Sequence, residues 1–192
     1  DDFLSPSYFK FLTEDIFFDD NFPWYFSEEA SYPVNISYSV NGDVQNNSFG
    51  FNASLFDDGK FNNNFSSKLC GSVYPFALMV KDKLHASTIM RIRADLTLWN
   101  PTNLMHGPHV DYNGFHYSSI FYLNESDGDT VIFNEKVPKG KKIAEMDRHS
   151  LTIKEVIEPK PNRLLLFDGT YIHTGHSPSK YKCRKILNSN YK

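Results

Sequence analysis

The spacing of apolar residues changes near residue 88, and that change limits the folds open to this chain more than any other feature. From there "TIMRIRADLTLW" sets Met90, Ile92, Ala94, Leu96 and Leu98 against Arg91, Arg93, Asp95 and Thr97. Alternation with period two predicts a strand with one apolar and one polar face. Shorter strand-like pieces follow at about 117–124, 130–133, 151–157, 163–167 and 184–191, separated by Gly, Pro, Asn and Asp. Upstream the spacing is helical. Ser5 as N-cap and Pro6 at the first helical position open a helix over about 6–18. "NFPWYF" reads as a turn and an aromatic cluster packed on it, and "SVYPFALMVKDKL" as a second helix starting near Pro75. Residues 41–66, rich in Asn, Gly, Asp and Phe, read as a long loop or loose hairpin and a candidate lid. Helices followed by many short strands predict an α+β chain whose β part is a sandwich or barrel. One domain over 1–192 is expected, with helical support and the loop in 1–87 and the β core in 88–192.

At 192 residues the chain can bury a sizeable core, and aromatics at 16% supply large apolar side chains for it. A net charge of −3 offers no electrostatic footprint for duplex nucleic acid or an anionic membrane. The lysines clustered at Lys139–Lys142 and Lys180–Lys185 read as solvated turns. Cys70 and Cys183 cannot make a disulfide framework, which favours a reducing compartment. No apolar run spans a bilayer, "DDFLSPSYFK" shows no leader, and the sequons at Asn35, Asn52 and Asn64 read as chance. The expected location is therefore cytoplasmic.

The stretch "HGPHVDYNGFHY" at 106–117 concentrates chemistry-bearing residues. His-x-Asp by itself is weak, since a chain with 7 His and this many Asp has roughly 0.5 such matches by chance. The downstream "DGTYIHTGHSP" adds His173 and His176 after the strand "RLLLF". Two His and one carboxylate make a facial triad suited to non-haem Fe(II), leaving three coordination positions open. The spacing has a physical basis: residues two apart on an extended strand point to one side, so His109 and Asp111 can grip one ion together. A neighbouring strand must supply the third ligand.

The wider pattern, "HVDYNGFHYSSIFYLNESDGDTVIFNE" and then "PKPNRLLLFDGTYIHTGHSPSKYKCRKILNSNY", resembles the Fe(II)- and 2-oxoglutarate-dependent dioxygenase superfamily. It is most similar to the prolyl-hydroxylase-like branch, including versions carried by phages and marine bacteria, over roughly residues 89–191. The parts come in the family's order: His-x-Asp, "YLN", a Gly-Asp-Thr turn, "P-x-x-R-x-x-x-F", the distal His and a basic residue. "FPWYF" also looks like the phage members.

The resemblance implies a double-stranded β-helix (jelly-roll, cupin-like) core with the N-terminal helices packed on its major sheet. It implies His109, Asp111 and His173 as metal ligands and catalytic residues. Arg184, eleven past His173, would anchor the distal carboxylate of 2-oxoglutarate, with Lys182 and Lys185 as rivals and with Tyr122 and Asn188 completing the pocket. Fe(II), 2-oxoglutarate and O2 are the implied cofactor and cosubstrates, with ascorbate as a supporting reductant. The implied reaction hydroxylates a C–H bond, a peptidyl side chain of prolyl type being the expected substrate, in the host cytoplasm if the chain is phage-encoded. His106 and Trp99 are candidates to touch substrate; Trp99 stands where some relatives carry a cosubstrate Tyr. Asp111 in place of a small residue argues against the halogenating relatives.

The plainer readings stand beside these. His106 and His116 can be pocket-lining or solvated loop residues, and His149 a solvated turn residue. Arg91 and Arg93 read as structural partners of Asp95 or another carboxylate, Gly128 and Asp129 as a turn, and Cys183 as merely buried. Rival functions are an oxygenase acting on a small metabolite or nucleobase, and a jelly-roll metal-binding module without turnover.

Overall fold

The computed structural model describes residues 1–28, 49–138, 140–141 and 150–192. The expectations for the Asn35 sequon, residues 41–48, Lys139, Lys142 and His149 lie outside these. No described helix is long and apolar enough to cross a membrane.

Two antiparallel sheets form the core. The major sheet runs β1 (Tyr25–Ser27), β2 (Gly50–Asp57), β4 (Ile89–Leu98), β10 (Cys183–Tyr191), β5 (Tyr117–Tyr122) and β8 (Leu164–Asp168), with β3 (Lys60–Phe61) paired to β2. The minor sheet runs β7 (Ile153–Ile157), β6 (Thr130–Lys136) and β9 (Tyr171–Gly175). Ile120, Tyr122 and Ile186 of the major sheet meet Ile132 and Ile157 of the minor one, so the sheets close face to face. This is the α+β sandwich expected from the run of short strands and the jelly-roll implied by the resemblance.

The period-two pattern of β4 explains how one sheet serves two cores. Ile92 and Ala94 pack outward with Leu187 and Phe121 beneath the helices. The intervening Arg91 and Arg93 face the space between the sheets, where they pair with Asp111 and Asp95.

The helical layer covers the outer face. Helix α1 (Pro6–Lys10) is N-capped by the Ser5 hydroxyl, with Pro at the first position. It widens into a π-helical segment, Phe11–Phe17, in which the Thr13 hydroxyl donates back to the Phe9 carbonyl at 2.9 Å. Phe22 packs on Phe17 and on Trp24, with ring centroids 5.1 and 4.5 Å apart, which seats the "FPWYF" cluster on this helix.

Two sequence expectations are corrected here. Helix α2 spans Ser67–Leu84 rather than starting near Pro75, because Ser66 caps it and Pro75 is carried inside it. The Phe76 N–H, whose usual acceptor is the Ser72 carbonyl, donates instead to the Tyr8 hydroxyl at 3.1 Å, and that hydroxyl donates to Ser72 at 2.9 Å. A side chain inserted into the ladder thus replaces a hydrogen bond that the proline turn would otherwise lose. The second correction concerns the Asn-rich segment. Of the two alternatives its described part takes the hairpin, β2 pairing with β3, but not a loose one, because β2 carries Ala53 and Leu55 into the core and pairs along β4. Residues 1–87 therefore contribute strands to the major sheet as well as helices.

Candidate metal centre

His109 and His173 lie directly opposite one another, each backbone N–H donating to the other's carbonyl at 2.9 Å. Residues paired this way present their side chains on one side of the sheet. Their rings come to 4.7 Å, and Asp111, two residues on, joins them. One donor atom from each of His109, Asp111 and His173 lies within 4.8 Å of the others. The Asp111 Oδ2 is 3.8 Å from His173 Nε2. His173 occupies the middle of β9 rather than a strand end, and Phe167 packs edge-on against its ring at 4.9 Å.

The donor set suits a divalent cation. His109 Nδ1 is 3.0 Å from the Gly107 carbonyl, and His173 Nδ1 is 3.1 Å from that of Tyr171. A carbonyl only accepts, so each ring proton lies on Nδ1 and each Nε2 keeps its lone pair for a metal. Burial pushes the His173 imidazole down to about 4, aided by His109, and lowers His109 as well, so both are neutral ligands at pH 7. Burial drives the Asp111 carboxyl up, but Arg91, with His173 and His109, outweighs it and holds the group well below the usual carboxylate range.

A cleft opens beside the triad, its lining including His106, Ile120, Arg184, Ile186, Asn188 and Asn52, with Arg93 and Asp95. Arg184 is only 6% exposed. Its Nη2 donates to the Thr130 hydroxyl at 2.7 Å, its Nε is buried without a partner, and no described carboxylate forms an ion pair with it. Room for it is made by two glycines: a Cβ at Gly175 would sit 3.1 Å from its Nη1, and one at Gly128 would sit 3.0 Å from its Cδ and 2.5 Å from the His176 carbonyl. The rival lysines face elsewhere, Lys182 being exposed and Lys185 donating to the Phe17 carbonyl at 2.8 Å.

The other sequence-predicted residues divide. Tyr122 lies fully buried beside Arg184, its ring centroid 5.7 Å from the guanidinium carbon, and its hydroxyl donates to Thr130 at 2.7 Å. Asn188 lines the cleft and leaves its Oδ1 buried without a partner. His106 also lines it, bonded to the Ser177 hydroxyl at 3.0 Å, and burial next to Arg184 pushes its imidazole down to about 3. Trp99 is not brought to the triad: it is 55% exposed and its indole N–H donates to the Ser179 carbonyl. His176 stays outside the cluster, its Nδ1 turned to the Asp129 carbonyl. His116 is neither solvated nor in the cleft; it is fully buried, packed where any side chain at Gly169 would stand.

Sequence reasoning missed Thr130, which accepts from both Arg184 and Tyr122, and Asn190, which donates to Asp111 at 2.9 Å; Arg91, expected to pair with Asp95 or another carboxylate, pairs with Asp111 at 2.8 Å. The polar phase of β4 signalled that Arg91 faces inward, but not which carboxylate it meets.

No family model and no curated protein sequence matches the chain. Its structure is similar to that of a 2OG-Fe(II) oxygenase-family oxidoreductase of Burkholderia pseudomallei, at 11% identity and a TM-score of 0.55, covering 88% of this chain and 73% of the other. It is also similar to AviO1 of Streptomyces viridochromogenes, at 12% identity and a TM-score of 0.56, covering 98% and 86%. Likeness at such low identity is likeness of fold, and the chain shares the fold of these two proteins.

Proposed function

We propose that the chain is an Fe(II)- and 2-oxoglutarate-dependent dioxygenase that hydroxylates a substrate C–H bond. The observation that carries this reading is the buried Arg184, without a described carboxylate partner, facing the same cleft as His109 and His173 of the triad. A buried cation without a counter-ion is costly. A site that keeps one beside a metal-ligating triad is built for an anion that also reaches the metal, and a dicarboxylic 2-oxo acid meets both demands.

His109, Asp111 and His173 hold the ion, their orientation fixed by the Gly107 and Tyr171 carbonyls and by Arg91. Arg184 would pair with the distal carboxylate, and Tyr122 braces the Thr130 hydroxyl to which Arg184 donates. Asn188 offers its unpartnered amide oxygen to the cleft, and Ile120 and Ile186 form an apolar wall that keeps water from the bound cosubstrate. His106 stays neutral beside Arg184 and adds no competing cation. The chemistry supplied by Fe(II), 2-oxoglutarate and O2 is hydroxylation coupled to decarboxylation of 2-oxoglutarate to succinate and CO2.

The substrate in this reading is a peptidyl side chain of prolyl type. Asn52, Arg93 and Asp95 in the cleft lining set donors beside acceptors, as the amide groups of a peptide require. The whole chain acts as one such domain, in the cytoplasm.

The test is anaerobic titration of apo-protein with Fe(II) and then 2-oxoglutarate. A visible metal-to-ligand charge-transfer band is expected, absent in His109→Ala and weakened in Arg184→Ala. Folded wild-type protein that gives no band would overturn the reading and leave a metal-binding module without turnover.

A further inference from the structure

We propose that Arg91 fixes Asp111 as a one-oxygen metal ligand, which keeps three coordination positions free; the inference rests on the metal-site reading above. Arg91 and Asn190 are cross-strand partners on β4 and β10, and between them they hold the two oxygens of one carboxylate. Arg91 Nη2 donates to Oδ1 at 2.8 Å, and Asn190 Nδ2 donates to Oδ2 at 2.9 Å. The Oδ2 faces His173 and also accepts from the Ser118 hydroxyl at 3.3 Å, the longer of its two hydrogen bonds and the one a metal would displace to reach a lone pair. The Oδ1 is committed to a charge-assisted bond between side chains only 13% and 3% exposed.

Arg91 cannot swing away freely. Its guanidinium lies 5.4 Å over the Tyr112 ring, and the Tyr112 hydroxyl reaches Asp57, the register neighbour of Arg91 on β2. The side chain is therefore clamped between its own sheet and the residue that follows the ligand.

Two consequences follow from the charge and the geometry. A carboxylate released from Arg91 can close on an ion with both oxygens, which takes one of the positions a chelating 2-oxo acid and dioxygen require. Arg91 also places a positive charge next to the ion's own, so it weakens metal binding as it orders the ligand. Arg91 is thus a positioning residue that exchanges metal affinity for open coordination.

The experiment uses Co(II) as the probe. Apo wild type, Arg91→Met and Arg91→Lys are titrated with Co(II) by visible absorption, and each loaded protein is then titrated with 2-oxoglutarate. Arg91→Met should bind Co(II) about tenfold tighter, because the competing cation is gone. Its Co(II) spectrum should shift, and its 2-oxoglutarate affinity should fall about tenfold, because one position is closed. Arg91→Lys, which keeps the cation, should restore both toward wild type. Should Arg91→Met not fold, Arg91→Gln must show the same directions. A folded Arg91→Met that matches wild type on both ligands, or that binds Co(II) more weakly, overturns the proposal and leaves Arg91 a support of the fold. Wild type that itself takes up no Co(II) overturns the metal-site reading beneath it.

Discussion

Among the arginines on the inner face of the major sheet, Arg91 and Arg184 stand in opposite electrostatic situations. Arg91 on β4 meets Asp111 at 2.8 Å, a charge answered from within the chain. Arg184 on β10 donates to the Thr130 hydroxyl and lies over the Tyr122 ring, its Nε has no partner, and no described carboxylate forms an ion pair with it. An answered charge belongs to the architecture of a site, while an unanswered one specifies what must come from outside. The glycines at 128 and 175, which make room for Arg184, show that the fold is arranged around that open charge rather than merely tolerating it.

The largest expected effect breaks the answered side. Asp111→Ala should abolish Fe(II) binding and, in the apo-protein, strand Arg91 as a buried cation, lowering stability by about 3–5 kcal/mol. Urea unfolding beside an Fe(II) titration measures both. Arg184→Met attacks the other side and should behave differently. Its apo-protein should be as stable as wild type or more so, since an uncompensated charge is replaced by an apolar chain of similar length. Its 2-oxoglutarate affinity should fall by roughly thirtyfold or more, and the cosubstrate should no longer raise its melting temperature. If Arg184→Met lost as much apo stability as Asp111→Ala, the distinction between the two arginines would collapse.

The pH dependence of apo stability sharpens the contrast. His106 and His173 have folded-state values pushed to about 3 and about 4, below the usual 6.5. Above pH 6.5 both are neutral folded and unfolded, so they leave stability whole. As pH falls from 6.5 toward 4, the unfolded chain takes up protons that the folded chain refuses, and stability declines, by roughly 3 kcal/mol for His173. Asp111 acts in a lower window: its depressed value preserves stability above the normal carboxylate range and gives it up only below. Because Arg184 is a cause of the His106 shift after burial itself, Arg184→Met should end the His106 part of the decline at a higher pH than in wild type. Arg91 has no such part in the His106 shift, so Arg91→Lys should leave that contribution unchanged. Thermal melts of the apo-proteins across this range decide it.

Much of this architecture was legible in the sequence because it rests on short-range patterns. The alternation of 89–98 marked β4 and its two faces, and the i, i+2 spacing of His109 and Asp111 placed them on one side of the chain. What stayed hidden depends on partners distant in sequence. Pro75 looked like a helix start because nothing local reveals that the Tyr8 hydroxyl stands in for the missing ladder bond. The Asn-rich stretch looked like a loop or a loose hairpin because β2 takes its order from β4, not from its own composition. Trp99 has a pocket-like position in the sequence, yet its indole turns to Ser179. Gly128 read as a turn residue, and its closeness to Arg184 became visible only when the two sheets closed.

The smallest expected effect tests whether the open charge is positioned or merely present. The Thr130 hydroxyl accepts from Arg184 Nη2 and from the Tyr122 hydroxyl, each at 2.7 Å. With both lone pairs engaged, the Thr130 proton is left to point away from the two donors, toward whatever anion Arg184 holds. Tyr122→Phe removes one donor without opening a large cavity, so the Thr130 hydroxyl gains freedom to rotate and the guanidinium loses a fixed neighbour. A neutral hydrogen bond contributes about 1 kcal/mol net, so 2-oxoglutarate affinity should weaken by about fivefold while Fe(II) affinity stays at the wild-type value. Calorimetric titration of the Fe(II)-loaded variant reads the first and titration of the apo-variant the second. Equal loss of both would mean that Tyr122 supports the whole cleft; loss of 2-oxoglutarate alone ties it to Arg184, the side of the site whose charge the chain leaves unanswered.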